Sequence, residues 1–275
     1  MLSGLTLVGP LLTVSKPLLR ILPNGFMHLD GFLCIATTKP GFQLPMSPGW
    51  NEDVATDTFF SDIPAHEDGI PGHGGCTMAQ IYTGISSHFT KVYPMSSESQ
   101  IPDALCALLC DQGAPNNIKS DCAKAQQSNA FKEILCHYHI GQYFSEPYQQ
   151  NQNPAERHIQ DVKKDVNTIM DRTGTPAEFG LLCILFVVYL SNVLAVESLG
   201  FITPTQIAYG YVPDVSALLH FYWWKPVYYA EQEGKFAKSK EKLGRWVGIA
   251  ENVGDVLTWW ILTDDTKQVI PRSMV

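Results

Sequence analysis

The sequence predicts an α/β protein: a mixed five-stranded sheet with flanking helices, followed by a small β-barrel-like C-terminal module. Three observations carry that expectation. From 54 to 196, strand-like and helix-like stretches run in the order three strands, helix, strand, helix, strand, helix, helix. Breaks rich in Gly, Pro and Asn separate many of them. After residue 203 the texture changes to short aromatic runs interrupted by turns, the pattern of a small barrel.

Residues 1–50 contain six prolines and no clear periodicity, so they stand as an unassigned N-terminal extension with short apolar runs such as Phe32-Leu33-Cys34-Ile35-Ala36. The 51–200 stretch is the predicted core. Its first strand spans 54–61, followed by a loop at 62–75 that holds Pro64, Gly69, Pro71, Gly72, Gly74 and Gly75. Strands at 76–83 and 87–93 follow so closely that an antiparallel meander is expected. The 101–112 stretch carries apolar residues at 101, 105, 108 and 109 and stops at Gly113, as a helix does. A short strand at 117–120 ends at Asp121, a helix spans 123–138, and a fifth strand 142–145. The polar loop 147–153 leads to a helix that opens at Pro154, a residue suited to the first helical position. That helix runs to about residue 172, and another spans 177–196. In the 201–275 module, Thr203-Pro204-Thr205-Gln206 starts a short helix and Pro213-Asp214-Val215-Ser216 marks a turn. Strand-like runs follow at 221–224, 227–229, 245–249 and 257–262, with a last one starting at Val269.

Composition narrows the function. At 275 residues with 45% hydrophobic and 17% charged side chains, the chain is globular. Its net charge of −8 argues against binding nucleic acid by charge alone, although 235–245 concentrates Lys235, Lys238, Lys240, Lys242 and Arg245 against Glu241. Seven cysteines without a CxxC pair read as free thiols in a reducing compartment. Cys136, His137 and His139 cluster without a fourth ligand at zinc-finger spacing. The uncharged 179–196 stretch just reaches membrane-spanning length, but Gly180, Ser191 and Asn192 interrupt it and no basic flank orients it. It is expected to be a buried helix, with no membrane association.

The carboxylates are the sharpest signal. Glu156 follows Asp121 by 35 residues, and Asp57 stands upstream in Val54-Ala55-Thr56-Asp57-Thr58-Phe59. Two aspartates and a glutamate at element ends are the oxygen ligands that a two-metal phosphoryl-transfer site requires. Asp62 is the alternative to Asp57, but it opens the loop whereas Asp57 lies inside the strand.

With their flanks, these residues resemble the integrase of copia-type long-terminal-repeat retrotransposons, whose retroviral-integrase-type core is RNase H-like. That family carries an Asp, Asp, Glu triad with its last two members commonly 35 apart. The stretch Glu146-Pro147-Tyr148-Gln149-Gln150-Asn151-Gln152-Asn153-Pro154-Ala155-Glu156-Arg157 resembles its Gln/Asn-rich approach to the catalytic Glu. Thr203-Pro204, Pro213-Asp214-Val215-Ser216 and Lys242-Leu243-Gly244-Arg245-Trp246-Val247-Gly248-Ile249 resemble the segments after the core.

The resemblance implies that Asp57, Asp121 and Glu156 are the catalytic residues and ligands of two Mg²⁺ or Mn²⁺ ions. It implies that Arg157, Lys163 and Lys164, with His158, meet DNA phosphates. The expected activity is metal-dependent polynucleotidyl transfer integrating retroelement DNA into host DNA. The expected partners are double-stranded DNA, both element ends and target, and further copies of the chain, in the nucleus or cytoplasm. The sequence departs from the family pattern in lacking a His/His/Cys/Cys zinc module before the core, in Cys122 beside Asp121, and in its acidity. Those departures favour the alternative, a catalytically inactive retroelement-derived remnant that binds DNA or protein.

Overall fold

The computed structural model describes residues 50–275 except 64, 66–74, 122–125, 127, 145–153, 231–239, 251–252 and 255–256. Before residue 50 it describes the backbone of β1 (Arg20–Ile21), β2 (Met27–Leu29) and β3 (Phe32–Cys34), which form an antiparallel three-stranded sheet. Most of the 62–75 loop and all of the 147–153 loop lie outside the described residues.

A five-stranded sheet forms the centre. Its strands are β4 (Asp53–Phe60), β5 (Met78–Gly84), β6 (Thr90–Met95), β7 (Asn117–Ser120) and β8 (Gly141–Phe144), in the order β6-β5-β4-β7-β8. β4, β5 and β6 form an antiparallel meander, while β7 and β8 join parallel to β4. That order and those senses make an RNase H-like core, as expected.

Alternation along β4 assigns the two faces. Val54 packs with Ile118 and with Leu105 and Leu108 of α1 (Ile101–Gln112) and Phe131 of α2 (Asn129–His137). Ala55 and Phe59, on the opposite face, pack with Ile159, Val162 and Val166 of α3 (Pro154–Thr173) and with α4 (Gly180–Val193). Helices therefore cover both sides of the sheet.

The third strand of the meander starts later than the local pattern suggests. β6 starts at Thr90 rather than Ser87 because Glu52 captures the turn: its carboxylate accepts from the Ser86 N–H at 2.8 Å, the Ser87 N–H at 2.9 Å and Trp50 Nε1 at 2.7 Å, and from the Ser87 hydroxyl. A Cβ at Gly84 would run into that carboxylate, so the turn needs glycine there. α2 begins at Asn129 because Ser128 caps it, its side chain accepting from the Phe131 N–H at 3.3 Å. The earlier part of that expected helix, 123–125, lies outside the described residues.

α4 is the long uncharged stretch, and it is apolar on every side rather than along one stripe. Leu181, Leu182, Cys183, Ile184, Phe186, Val187 and Val188 are all buried. One side meets α3 and the sheet; the other meets a four-stranded antiparallel sheet of β9 (Pro226–Ala230), β10 (Glu241–Ile249), β11 (Trp259–Thr263) and β12 (Val269–Arg272). Phe186 stacks on Trp223 at 5.0 Å and meets Trp246 edge-on at 5.4 Å. Asn192, which interrupts the apolar run, bonds the backbone of the edge strand β6 twice. It accepts from the Thr90 N–H at 2.8 Å and donates to the Thr90 carbonyl at 2.7 Å. No described helix is long and apolar enough to cross a membrane.

The C-terminal sheet curls until its outer strands meet. The Ala230 N–H donates to the Met274 carbonyl at 3.4 Å, and the Arg272 guanidinium lies 5.7 Å from the Tyr229 ring centre. The aromatic run 221–224 is not a strand. It is a docking turn in which Trp224 takes a φ of 65°, its N–H donates to the Trp246 carbonyl at 3.0 Å, and Trp223 Nε1 donates to Thr175 Oγ1 at 3.0 Å. The post-core helix α5 (Pro204–Tyr209) is capped by Thr203, whose side chain accepts from the Gln206 N–H at 3.1 Å.

Cys76, Cys106, Cys136 and Cys183 are free, whereas Cys110 is disulfide-bonded, a departure from the free thiols expected throughout. Sequence spacing does not report which sulfurs the fold brings together.

Phe186→Ala is expected to cost about 3–4 kcal/mol, because it empties the contact between α4 and two tryptophans. Urea denaturation followed by tryptophan fluorescence measures the loss. A change below about 1 kcal/mol would mean that the two layers do not depend on this contact.

Candidate active site

The sheet switches from antiparallel to parallel at β4, and the predicted carboxylates collect beside that strand. Parallel pairing runs Asp53↔Asn117, Val54↔Ile118 and Ala55↔Lys119. β7 ends at Ser120, and the same register carried on by one more residue past its end aligns Asp121 with Asp57. Adjacent strands lie about 4.8 Å apart, and paired residues of a parallel ladder share a face. Asp57 alternates with Ala55 and Phe59 on the face that α3 covers. α3 is seated there by Ala155 and Ile159, both buried, which puts Glu156 of its first turn at the same edge.

Burial is the largest influence on Asp57 and raises its carboxyl; the Thr58 N–H, donating to Oδ1 at 2.7 Å, lowers it. The negative charges of Asp121 and Glu156 raise it further, Lys163 lowers it, and the carboxyl is pushed up to about 6. Both other members of the triad are therefore near enough to act on Asp57. Asp62 lies beyond the end of β4, is exposed, and is not among the charges that move Asp57.

Asp121 is exposed but tethered. With its amide nitrogen turned toward the acceptors, the fully buried Gln126 donates to Asp121 Oδ1 at 3.0 Å, to the Asp121 carbonyl at 3.2 Å and to Ser120 Oγ at 3.1 Å. Its backbone carbonyl accepts from Gln142 Nε2 of β8 at 3.1 Å, tying this segment to the sheet. Gln126 is the residue that sequence reasoning missed. One glutamine in the run Ala125-Gln126-Gln127-Ser128 carries no local mark of that role. Cys122 lies outside the described residues.

The basic residues of α3 divide. Lys163 Nζ sits 4.6 Å from the centre of the Phe59 ring and bears on Asp57, so its charge belongs to the site. Arg157 and Lys164 are exposed on the same helix. His158 does not join them: its Nε2 lies 3.1 Å from Thr90 Oγ1, and burial holds its pKa below the usual histidine value. Of the basic run at 235–245, 235–239 lies outside the described residues. Lys242 pairs with Asp265 at 3.1 Å, and Arg245 lies 3.9 Å from Asp264.

A carboxylate whose charge is opposed by two further carboxylates makes with them a donor set suited to a hard divalent cation such as Mg²⁺ or Mn²⁺. Among the described residues, no group of three His, Cys, Asp or Glu side chains is gathered closely enough to hold a metal ion. The carboxylates thus share an electrostatic site without forming one coordination shell. Cys136, His137 and His139 do not form a metal-holding group either.

No family model matches the sequence, and no curated protein matches it. Solved structures do. The HTLV-2 integrase catalytic core domain in complex with magnesium, in its trimeric form, is 18% identical, with a TM-score of 0.44 over 58% of this chain and 97% of that one. Its dimeric form gives 17%, 0.43, 57% and 94%. The simian T-cell lymphotropic virus intasome in complex with PP2A regulatory subunit B56 gamma is 16% identical, with a TM-score of 0.48 over 87% of this chain and 84% of that one. These three TM-scores are below 0.5, so the fold assignment rests on strand order and register.

The Asp57 carboxyl gives the metal-free protein a defined pH dependence. Folded, it keeps its proton up to about 6, while the unfolded chain releases it near 3.8, so the folded state binds more protons in between. The stability contributed by this group is present below the lower value and is lost as pH rises to about 6. Asp57→Asn is expected to remove that slope and to stabilise the metal-free protein by about 1–2 kcal/mol at neutral pH. Urea melts on either side of this window test it; the same slope in the variant would assign the effect to another group.

Proposed function

We propose that this chain is an integrase-type polynucleotidyl transferase of copia-type retroelement descent, acting on double-stranded DNA in a metal-dependent manner. The observation that carries the reading is that Asp57, on the central strand of an RNase H-like sheet, feels the charges of both Asp121, just past its parallel neighbour β7, and Glu156. Open α/β sheets place reactive groups at such strand ends.

Asp57, Asp121 and Glu156 would hold the ions, with Asp57 as a half-buried member and Asp121 as the exposed one. When bound, Mg²⁺ or Mn²⁺ supplies Lewis acidity to a phosphoryl oxygen and lowers the pKa of an attacking hydroxyl. Thr58 orients the Asp57 carboxylate through its N–H, and Gln126 orients that of Asp121. Lys163, resting on Phe59, offers positive charge to a phosphate arriving beside Asp57, and Arg157 and Lys164 extend that charge along α3. The 51–200 core would carry the chemistry and the 201–275 module would assist in holding DNA. Work on two DNA ends implies several copies of the chain, within the nucleus or cytoplasm.

One observation favours the alternative of an inactive DNA- or protein-binding remnant: the described carboxylates do not close into a metal-holding group. Two measurements separate the readings. Mn²⁺ titration followed by electron paramagnetic resonance is expected to show binding that Asp121→Asn abolishes. Strand transfer with a short duplex and a plasmid target is expected to require Mn²⁺ and to fall roughly a hundredfold or more in Glu156→Gln, with circular dichroism unchanged. Mn²⁺ binding without strand transfer by the parent chain would establish the remnant. Equal activity in Glu156→Gln would sink the assignment.

A further inference from the structure

A cavity of about 280 Å³ lies between α4 and the C-terminal sheet, away from the carboxylates. Leu182, Leu185, Phe186 and Tyr189 form its α4 wall, and Ile249 and Trp260 stand among the residues opposite. Its opening has a local cause. The pairing of β10 with β11 slips between Trp246 and Gly248, a bulge that bends the strand. Gly248 sits there at a φ of 140°, where a side chain is strained, and a Cβ would come no nearer than 4.0 Å to Phe186. The missing side chain and the bulge leave the space. Leu185, Tyr189, Ile249 and Trp260 are half-buried, so the cavity reaches the surface.

We infer that this cleft is a binding site for a flat, uncharged aromatic molecule of one or two rings. No charged residue lines it, so a charged ligand would lose its hydration without a partner. An apolar cavity of about 150 Å³ accepts benzene, so this larger one accommodates a fused bicyclic ring. Phe186, Tyr189 and Trp260 supply ring faces and edges for offset or T-shaped packing, while the Trp260 indole N–H and the Tyr189 hydroxyl are the polar side-chain groups among the lining residues. The occupant would touch α4 on one side and β10, β11 and β12 on the other, so binding would strengthen the seating of the sheet on the helix. The inference is independent of the carboxylate site.

The probe is 5-fluoroindole, observed by fluorine NMR with the full chain. Saturable broadening is expected, with a dissociation constant on the order of 100 μM, displaced by unlabelled indole and accompanied by a rise in melting temperature. Val269→Trp, which fills the cleft from β12, is expected to weaken binding at least tenfold. Leu185→Trp does the same from α4 and serves where the first variant melts early. Absence of saturable binding at about ten times that concentration overturns the site, as does equal affinity in both filled variants. Gel filtration adds a third outcome: dimers whose dissociation is needed before the probe binds would make a second copy the occupant, and would also overturn it.

Discussion

The burial of α4 is the constraint on which the rest of this structure depends. A helix with no charge and no polar face can be stable in water only if every side is covered. Here α3 and the five-stranded sheet cover one side and the C-terminal sheet the other. Asn192, the costliest residue to bury, finds a donor and an acceptor on the outward edge of β6, which would otherwise be unpaired there. One asparagine thus satisfies its own amide and closes an exposed strand edge. The same helix that resembles a membrane span in sequence is the shared core of two layers.

This burial also fixes the site. α3 packs on the sheet through Ala155, Ile159, Val162 and Val166, and Glu156 is carried to the edge of β4 because it lies next to the first of these. Asp57 reaches the same place by alternation along β4, and Asp121 by parallel register with it. Three separate rules, helical spacing, strand alternation and strand register, bring three carboxylates to one edge. The hydrogen bonds of Thr56 and Thr58 to β5, through the Ile81 carbonyl and Gln80 Oε1, tie β4 to its neighbour on either side of Asp57.

Much of this was legible in the chain because it follows from short-range periodicity. The meander, α1, the parallel strand before Asp121 and the long helix after Pro154 each announce themselves within a dozen or so residues. The failures share a physical cause, which is contact between distant segments. β6 starts late because Glu52 takes the Ser86 and Ser87 N–H groups. The 221–224 run looks like a strand from its aromatic content, yet Trp223 is drawn to Thr175 and Trp224 is held by the Trp246 carbonyl. Spacing and context single out Asp57, Asp121 and Glu156 as candidates, and the fold brings the charges of the last two to bear on the first. Gln126 and the withdrawal of His158 to Thr90 were not legible, since each depends on what the fold brings opposite.

The three carboxylates are not equivalent, and the difference has a direction. Asp57 is mostly buried, is repelled by its two neighbours and holds its proton up to about 6, so its charged form is the costly one. Asp121 is exposed and receives the Gln126 amide. Lys163 is a nearby positive charge that offsets this repulsion, its Nζ lying 4.6 Å from the centre of the Phe59 ring. One exposed lysine of α3 thus tempers the charge that Asp121 and Glu156 impose on the strand.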